Sequence, residues 1–150
     1  MNETIGLREI PSGPDRLMVE ADFLEMAPET VFDYWTKPEM ITKWWPQEAE
    51  IEPRVGGRYH LAWPGMNWHL RGIYTAFEPG SRLAFTWNWD HEPDAPERSV
   101  EIIMAAKGEG TQLTATHGAY TDTDADREVR QSHLEGWIHF LSQLQNVRHS

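Results

Sequence analysis

Apolar and polar positions first alternate regularly at residues 16–25, in the run RLMVEADFLE. Its apolar side chains recur at every second position, namely Leu17, Val19, Ala21 and Phe23. A period of two is typical of a strand with one buried face, so this run predicts the first strand. Residues 1–15 form a lead-in before it.

Helical spacing replaces the alternation after residue 27. Pro28 suits the first turn of a helix, and apolar residues follow at spacings of three and four: Val31, Phe32 and Trp35. Lys37-Pro38 interrupts this helix. A second short helix is predicted next, with Glu39 in its first turn, Ile41 and Trp44 three residues apart, and Pro46 as its end.

Between residues 56 and 119 the pattern alternates again. Turn signals separate five strand-like runs, which are residues 56–63, 67–78, 81–89, 99–107 and 111–117. Short connections favour antiparallel hairpins. In the third run the same face carries Leu83, Phe85, Trp87 and Trp89, and in the next two we expect Val100, Ile102 and Met104 to pair with Leu113, Ala115 and His117. These residues predict one apolar face of a sheet.

The last segment, Asp124 to about Val147, is predicted to form the longest helix. Thr123 and Asp126 resemble a capping box with an acidic third residue. Its apolar stripe comprises Val129, His133, Trp137, Phe140, Leu141, Leu144 and Val147. Because a half-buried sheet needs a cover and this is the longest helix, we expect an α+β fold in which the sheet wraps around it.

Several motifs also resemble one known family. They are the run from Pro28 to Trp45, EPRVGGRY at 52–59, GIYTAFEPGSRLAFTW at 72–87, GTQLTATHGAY at 110–120 and GWIHFLSQL at 136–144. Together they are similar to activator of heat-shock-protein-90 ATPase homologues, of the START-like or SRPBCC superfamily, over about residues 17–147. The resemblance implies a helix-grip fold of about six or seven strands with a hydrophobic cavity. The short loop 64–67 and the order HGAY at 117–120 depart from the family pattern.

Composition narrows the classes of partner. The chain has 150 residues, which predicts a single domain over 1–150, and its formal charge of −11 disfavours nucleic acid and anionic membranes as partners. It contains no cysteine, and its first residues, MNETIGLREIPSGPD, lack the features of a signal peptide. We therefore expect a cytoplasmic protein.

Aromatic residues supply the candidate site. The chain has eight tryptophans, more than the packing of a small core ordinarily needs, so we expect them to surround an apolar pocket for a small hydrophobic or aromatic molecule. Adjacent helical residues point about 100° apart, so we expect one of Trp44 and Trp45 to anchor the helix and the other to lie at the opening. The family resemblance implies that Trp44 is the anchor and that Trp45 lies at the opening. Gly136 predicts either a close helix-to-sheet contact or space for a ligand. The candidate ligand-binding residues are Trp35, Trp44, Trp45, Trp63, Trp68, Phe85, Trp87, Trp89, Met104, His117, His133 and Trp137.

Three functional hypotheses remain open. The first is a non-enzymatic ligand-binding module, and the second is an enzyme resembling polyketide cyclases or dehydratases that uses His117 and His133. The third is a co-chaperone-like partner of a heat-shock-protein-90 homologue, which only the resemblance suggests. No cofactor motif occurs, and the remaining histidines are dispersed without metal-ligand spacing: His60, His69, His91, His139 and His149. Homodimerisation is a further hypothesis.

Overall fold

The computed structural model describes residues 6–147. In chain order its elements are β1 (Leu7–Ile10), β2 (Arg16–Phe23), α1 (Pro28–Thr36), α2 (Pro38–Ile41), β3 (Glu48–Ile51), β4 (Arg58–Trp63), a 3₁₀ turn (Pro64–Met66), β5 (Trp68–Glu78), β6 (Arg82–Trp89), β7 (Arg98–Lys107), β8 (Gly110–Gly118) and α3 (Asp124–Gln145). The α+β class is confirmed.

The strands form one antiparallel sheet in the order β1-β2-β8-β7-β6-β5-β4-β3. The register predicted for β7 and β8 is confirmed, because Val100 pairs with His117, Ile102 with Ala115 and Met104 with Leu113. The sheet has eight strands, more than the six or seven that the resemblance implies. The two missed strands are β1 and β3, four-residue edge strands whose sequences, LREI and EAEI, contain too few apolar positions to show alternation.

Helix α3 packs against the inner face of the sheet, contacting β1 and β2. Its predicted start is confirmed, since the Thr123 hydroxyl accepts a hydrogen bond from the Asp126 N–H at 3.1 Å. Trp137, Leu141 and Leu144 are its buried residues. This arrangement of a curved antiparallel sheet around a terminal helix is the helix-grip fold. Among residues 6–147, no helix is long and apolar enough to cross a membrane.

The two short helices close the other side of the core. Helix α1 begins at Pro28 and buries Val31, Phe32 and Trp35, as predicted. Helix α2 ends earlier than expected, at Ile41, so residues 42–47 form turns and bends rather than helix. This early end changes where the two adjacent tryptophans point.

Candidate functional site: the tryptophan network

All eight tryptophans belong to one contiguous network of ring contacts. They come from α1, the 42–47 connection, β4, β5, β6 and α3, and they are Trp35, Trp44, Trp45, Trp63, Trp68, Trp87, Trp89 and Trp137. Ring centroids of neighbouring tryptophans lie between 4.8 Å, for Trp35 and Trp44, and 6.2 Å, for Trp45 and Trp63. The tertiary structure therefore brings together indoles that are up to 102 residues apart in the sequence, Trp35 and Trp137.

Trp45 lies at the centre of this network. Its ring is stacked on Trp44 at 5.5 Å and on Trp87 at 6.0 Å, with an interplanar angle of 24° in both pairs. Trp137 of α3 approaches it at 5.5 Å and Trp35 at 5.7 Å. Trp45 therefore stacks on two rings, those of Trp44 and Trp87, and the space that it fills beside them is called the slot of Trp45 below.

The expectation that Trp44 and Trp45 point in different directions is wrong. Both side chains are buried, and they stack on each other. The divergence of about 100° applies only within a helix, and α2 ends before these residues. The anchoring role predicted for Trp44 fits its contacts, because its indole N–H donates to the Tyr34 carbonyl at 2.8 Å.

The empty chamber predicted from the sequence is not present in this conformation. The space among the rings has a volume of about 10 Å³, close to the minimum that holds one water molecule. Its lining residues are Trp35, Ile41, Trp45, Tyr59, Leu61, Tyr74, Leu83 and Phe85. The rings pack against one another in edge-to-face and stacked pairs. The periodicity of apolar residues along the sequence does not determine how their side chains pack.

Three buried nitrogen atoms in the cluster have no hydrogen-bond partner among the described residues: Trp35 Nε1, Trp87 Nε1 and His117 Nε2. The Trp137 N–H donates to His117 Nδ1 at 3.0 Å. A neutral His117 therefore carries its proton on Nε2, so all three nitrogens are N–H donors. An unsatisfied buried donor costs about 1–3 kcal/mol, and contacts with ring faces compensate only weakly.

A pair of histidines adjoins these donors. The rings of His117 and His133 stack at 4.3 Å with an interplanar angle of 10°, and the Tyr120 hydroxyl lies 2.8 Å from His133 Nδ1. Burial lowers the pKa of His117 well below its usual value, with the charges of His133 and Arg98 adding to the effect. Burial, helped by the Arg98 charge, lowers the pKa of His133 to about 4. Both rings are neutral at pH 7.

The cation beside this pair is itself neutralised. Arg98 is buried, donates through Nη2 to Asp126 Oδ1 at 2.9 Å, and donates through Nε to the Ala119 carbonyl at 3.0 Å. Hydrogen bonds from the Thr121 N–H and hydroxyl lower the pKa of Asp126. Arg98 and Asp126 therefore compensate each other's charge and leave no unpaired charge of their own beside the two histidines.

Most of the candidate residues are buried together around the indole rings, and two lie at the margin of this group. Phe85 approaches Trp35 at 6.3 Å, and His117 approaches Trp87 at 4.5 Å. Trp68, by contrast, is 40% exposed and contacts Trp89 and His91 at the surface. Met104 is buried beside Leu113, further along β7, and does not line the space among the rings.

Sequence reasoning missed four residues at the site. Tyr59 and Tyr74 line the space among the rings, Tyr120 hydrogen-bonds His133, and Arg98 is buried beside them. In their strands, Tyr59 and Tyr74 occupy positions at which apolar residues recur with a period of two, and this pattern predicts that both side chains are buried. The position of Arg98 after an acidic loop gives no comparable signal.

The histidines outside the cluster are less dispersed than the sequence suggests. His60 Nε2 and His69 Nδ1 lie 2.8 Å apart across β4 and β5. Within residues 6–147, no group of three or more His, Cys, Asp or Glu side chains is arranged to hold a metal ion. His149 lies outside the described residues.

Helix α3 packs against a sheet whose inner face carries aromatic rings, so this chain is a helix-grip protein with an aromatic interior. Its family follows from a sequence comparison: the profile of the family described as Activator of Hsp90 ATPase homolog 1-like protein matches residues 25–148. The chain belongs to that family. No curated protein matches it.

Solved structures support the fold. The chain is similar to protein MLL2253 from Mesorhizobium loti, with 23% identity, a TM-score of 0.76 and coverage of 87% of this chain and 93% of the other. It is also similar to CalU16 from Micromonospora echinospora, with 24% identity, a TM-score of 0.70 and coverage of 93% and 80%. DynU16, from the dynemicin biosynthetic locus, has 19% identity and a TM-score of 0.75, with coverage of 90% of this chain and 46% of DynU16.

Proposed function

We propose that this protein binds a small, flat, uncharged aromatic molecule that carries hydrogen-bond acceptors, within the tryptophan network. The observation that carries the proposal is the set of three buried N–H donors without acceptors, on Trp35, Trp87 and His117. Packing alone accounts for interlocked indoles, but it does not account for donors that are left unsatisfied among them.

The energetic argument is direct. Three unsatisfied donors destabilise the ligand-free protein by about 3–9 kcal/mol in total, at 1–3 kcal/mol each. A carbonyl or ether oxygen placed among them would recover part of that free energy. Small-molecule sites usually consist of apolar and aromatic side chains with a small number of polar groups among them.

The position that the ligand would occupy is the slot now filled by Trp45. This side chain follows the end of α2, in a segment without regular secondary structure, so rotation of its side-chain torsions displaces it without breaking a helix or strand. Trp44 and Trp87 would then flank a ligand ring as they now flank the indole, with centroid separations typical of offset stacking.

The ligand's charge follows from its surroundings. His117 and His133 are neutral at pH 7, and Arg98 is already paired with Asp126. A carboxylate buried here would lack a counterion, and burying an unpaired charge is far more costly than burying a carbonyl group. A neutral acceptor therefore fits better than an anion.

Indole N–H resonances test the proposal. We would record ¹H–¹⁵N correlation spectra of tryptophan-labelled protein while adding 1,4-naphthoquinone, a planar neutral probe with two carbonyl acceptors. The protein has no cysteine, so thiol addition to the quinone cannot interfere. The Trp35 and Trp87 N–H signals should shift downfield as they gain acceptors, whereas the already bonded Trp44 N–H should hold its hydrogen-bonded position.

A matched pair of variants locates the donor. Trp87→Phe retains an aromatic ring but removes the N–H, so affinity for the quinone should fall about 5- to 10-fold, the equivalent of about 1 kcal/mol. Trp68→Phe, at the surface, should leave affinity unchanged. The proposal fails if millimolar quinone shifts neither interior indole signal, or if both variants bind as the wild type does.

The second candidate is an enzyme in which the two histidines transfer protons. The contact between the Tyr120 hydroxyl and His133 Nδ1 favours it, because a base oriented by a third group is a common catalytic arrangement. A pKa of about 4 at His133, however, makes this ring a weak base at neutral pH. Double replacement by His117→Asn and His133→Gln separates the candidates: loss of a conversion with retained binding would favour the enzyme.

The third candidate, association with a heat-shock-protein-90 homologue, follows from the family's name alone. Co-purification of the tagged protein with a purified homologue tests it, using an unrelated acidic protein of similar size as the control. Retention of the chaperone by this protein, and not by the control protein, would support this candidate.

A further inference from the structure

We infer that Gly136 is the entrance to the tryptophan network and limits the size of the ring system that can pass. This inference rests on the proposed function, and it assigns to one residue of α3 a role that helix packing does not explain. It names the route by which a flat molecule reaches the slot of Trp45.

Gly136 leaves a gap in the surface of α3. A Cβ atom built at this residue would meet no heavy atom within 4 Å, so the close helix-to-sheet contact weighed above is wrong. Gly72 in β5 shows the contrast, because a Cβ there would lie 2.2 Å from the Thr86 carbonyl oxygen. A glycine inside a helix is less favourable than alanine, and here no close packing requires it.

On one side, Gly136 adjoins helix residues that contact the Trp45 and Trp87 rings. Residues three positions before and four positions after Gly136, His133 and Phe140, are its neighbours on the helix surface. His133 contacts the Trp87 ring at 5.6 Å, and Phe140 contacts the Trp45 ring at 6.4 Å. Trp45 and Trp87 stack on each other, so on one side Gly136 adjoins the helix residues that contact this ring pair, while its helix neighbours on the other side, Ser132 and His139, are exposed.

Exposure of the rings agrees with this position. Among the buried indoles, Trp45 and Trp87 are 8% and 9% exposed, against 7% for Trp63 and 1–4% for the others. The unpartnered N–H of Trp87 belongs to the same ring pair. A molecule arriving over Gly136 would therefore meet first the ring that must move and then a free donor.

A competing route passes under the loop between β6 and β7. A gap of about 10 Å³ there is lined by Trp87 and His133 together with residues of the loop, including Glu92 and Ala95. Its lining is more polar than apolar, which suits an aromatic molecule less well than an apolar opening does. Substitution of Ala95 distinguishes the two routes.

The test measures association rates by stopped-flow quenching of tryptophan fluorescence, with 1,4-naphthoquinone and the larger 9,10-phenanthrenequinone as probes. Gly136→Leu should slow association at least 10-fold. Glu135→Leu, which adds the same side chain at the exposed neighbouring position, should leave the rate unchanged, and so should Ala95→Leu. Gly136→Ala, the smallest change, should slow the three-ring probe more than the two-ring probe.

Thermal unfolding of each variant checks that a slower rate does not reflect misfolding. A Cβ at residue 136 meets no atom within 4 Å, so Gly136→Ala should fold as the wild type does. Equal rates for wild type, Gly136→Leu and Gly136→Ala would overturn this inference while the proposed function stands. A slower rate for Ala95→Leu alone would also overturn it and place the route under the loop. If the wild-type protein takes up neither quinone, the proposed function fails, and this inference fails with it.

Discussion

Replacement of the central indole gives the sharpest test of the ring network. Trp45→Ala removes a side chain that is 8% exposed and stacked on two neighbouring rings, Trp44 and Trp87. A tryptophan buries on the order of 200 Å², which at 25 cal/mol per Å² corresponds to about 5 kcal/mol. Measured losses for Trp→Ala in cores are about 3–5 kcal/mol, so we expect a loss of that size.

The assay is thermal unfolding with and without free indole. For a chain of this length each kcal/mol lowers the melting temperature by about 2–4 °C, so the variant should melt about 10 °C below the wild type. Indole at 100 times its dissociation constant should restore about 2.7 kcal/mol, because it refills the slot between Trp44 and Trp87. The wild type, whose slot is occupied, should gain much less from indole.

Trp68→Ala is the matched control, since this side chain is 40% exposed and leaves no interior slot. It should lose less stability than Trp45→Ala, because less of its surface is buried, and it should not respond to indole. A folded Trp45→Ala protein that indole fails to stabilise would refute the reasoning that Trp45 occupies a slot shaped for a flat aromatic ring. A loss below about 1 kcal/mol would show that the indole is not packed as described.

Three further predictions follow from single residues. Gly136→Ala should raise the free energy of unfolding, measured in urea, by about 0.5–1 kcal/mol, because alanine favours helix and its Cβ meets no atom. A lower free energy of unfolding would contradict the open space at this residue. The lowered pKa of His133 means that the unfolded chain binds more protons between pH 4 and 6.5, so stability should fall as pH drops through this window, by up to about 3 kcal/mol at 1.36 kcal/mol per pKa unit. Because the pKa of His117 is lowered as well, His133→Gln should reduce the pH dependence without abolishing it, and an unchanged slope would refute the assignment. Arg98→Met should cost about 1–3 kcal/mol in urea unfolding because it removes the donors to Asp126 and to the Ala119 carbonyl, and an unchanged free energy of unfolding would show that these hydrogen bonds contribute nothing.

Much of the fold was predictable because hydrophobic periodicity is a local property. The alternation at Leu17, Val19 and Ala21 and the spacing of Trp137, Leu141 and Leu144 each identify an element and its buried face. Strands β1 and β3 escaped detection, because edge strands of four residues owe their existence to pairing with a neighbour rather than to their own pattern.

The site was predictable only in part. Periodicity placed Trp87 and His117 on the inner face of the sheet, where the structure has them. It could not show that Trp44 and Trp45 stack, because their directions depend on where α2 ends. Nor could it show that Trp68 lies at the surface.

By itself, the sequence determined which residues are apolar, how they repeat along the chain, and hence the elements and the family. Only the tertiary structure decided that the eight indoles form one network, that about 10 Å³ remains among them, and that Trp35, Trp87 and His117 retain free donors. The physical reason is that volume and hydrogen-bond satisfaction depend on side-chain torsions and on contacts between distant segments. Those quantities exist only once the helix lies against the sheet.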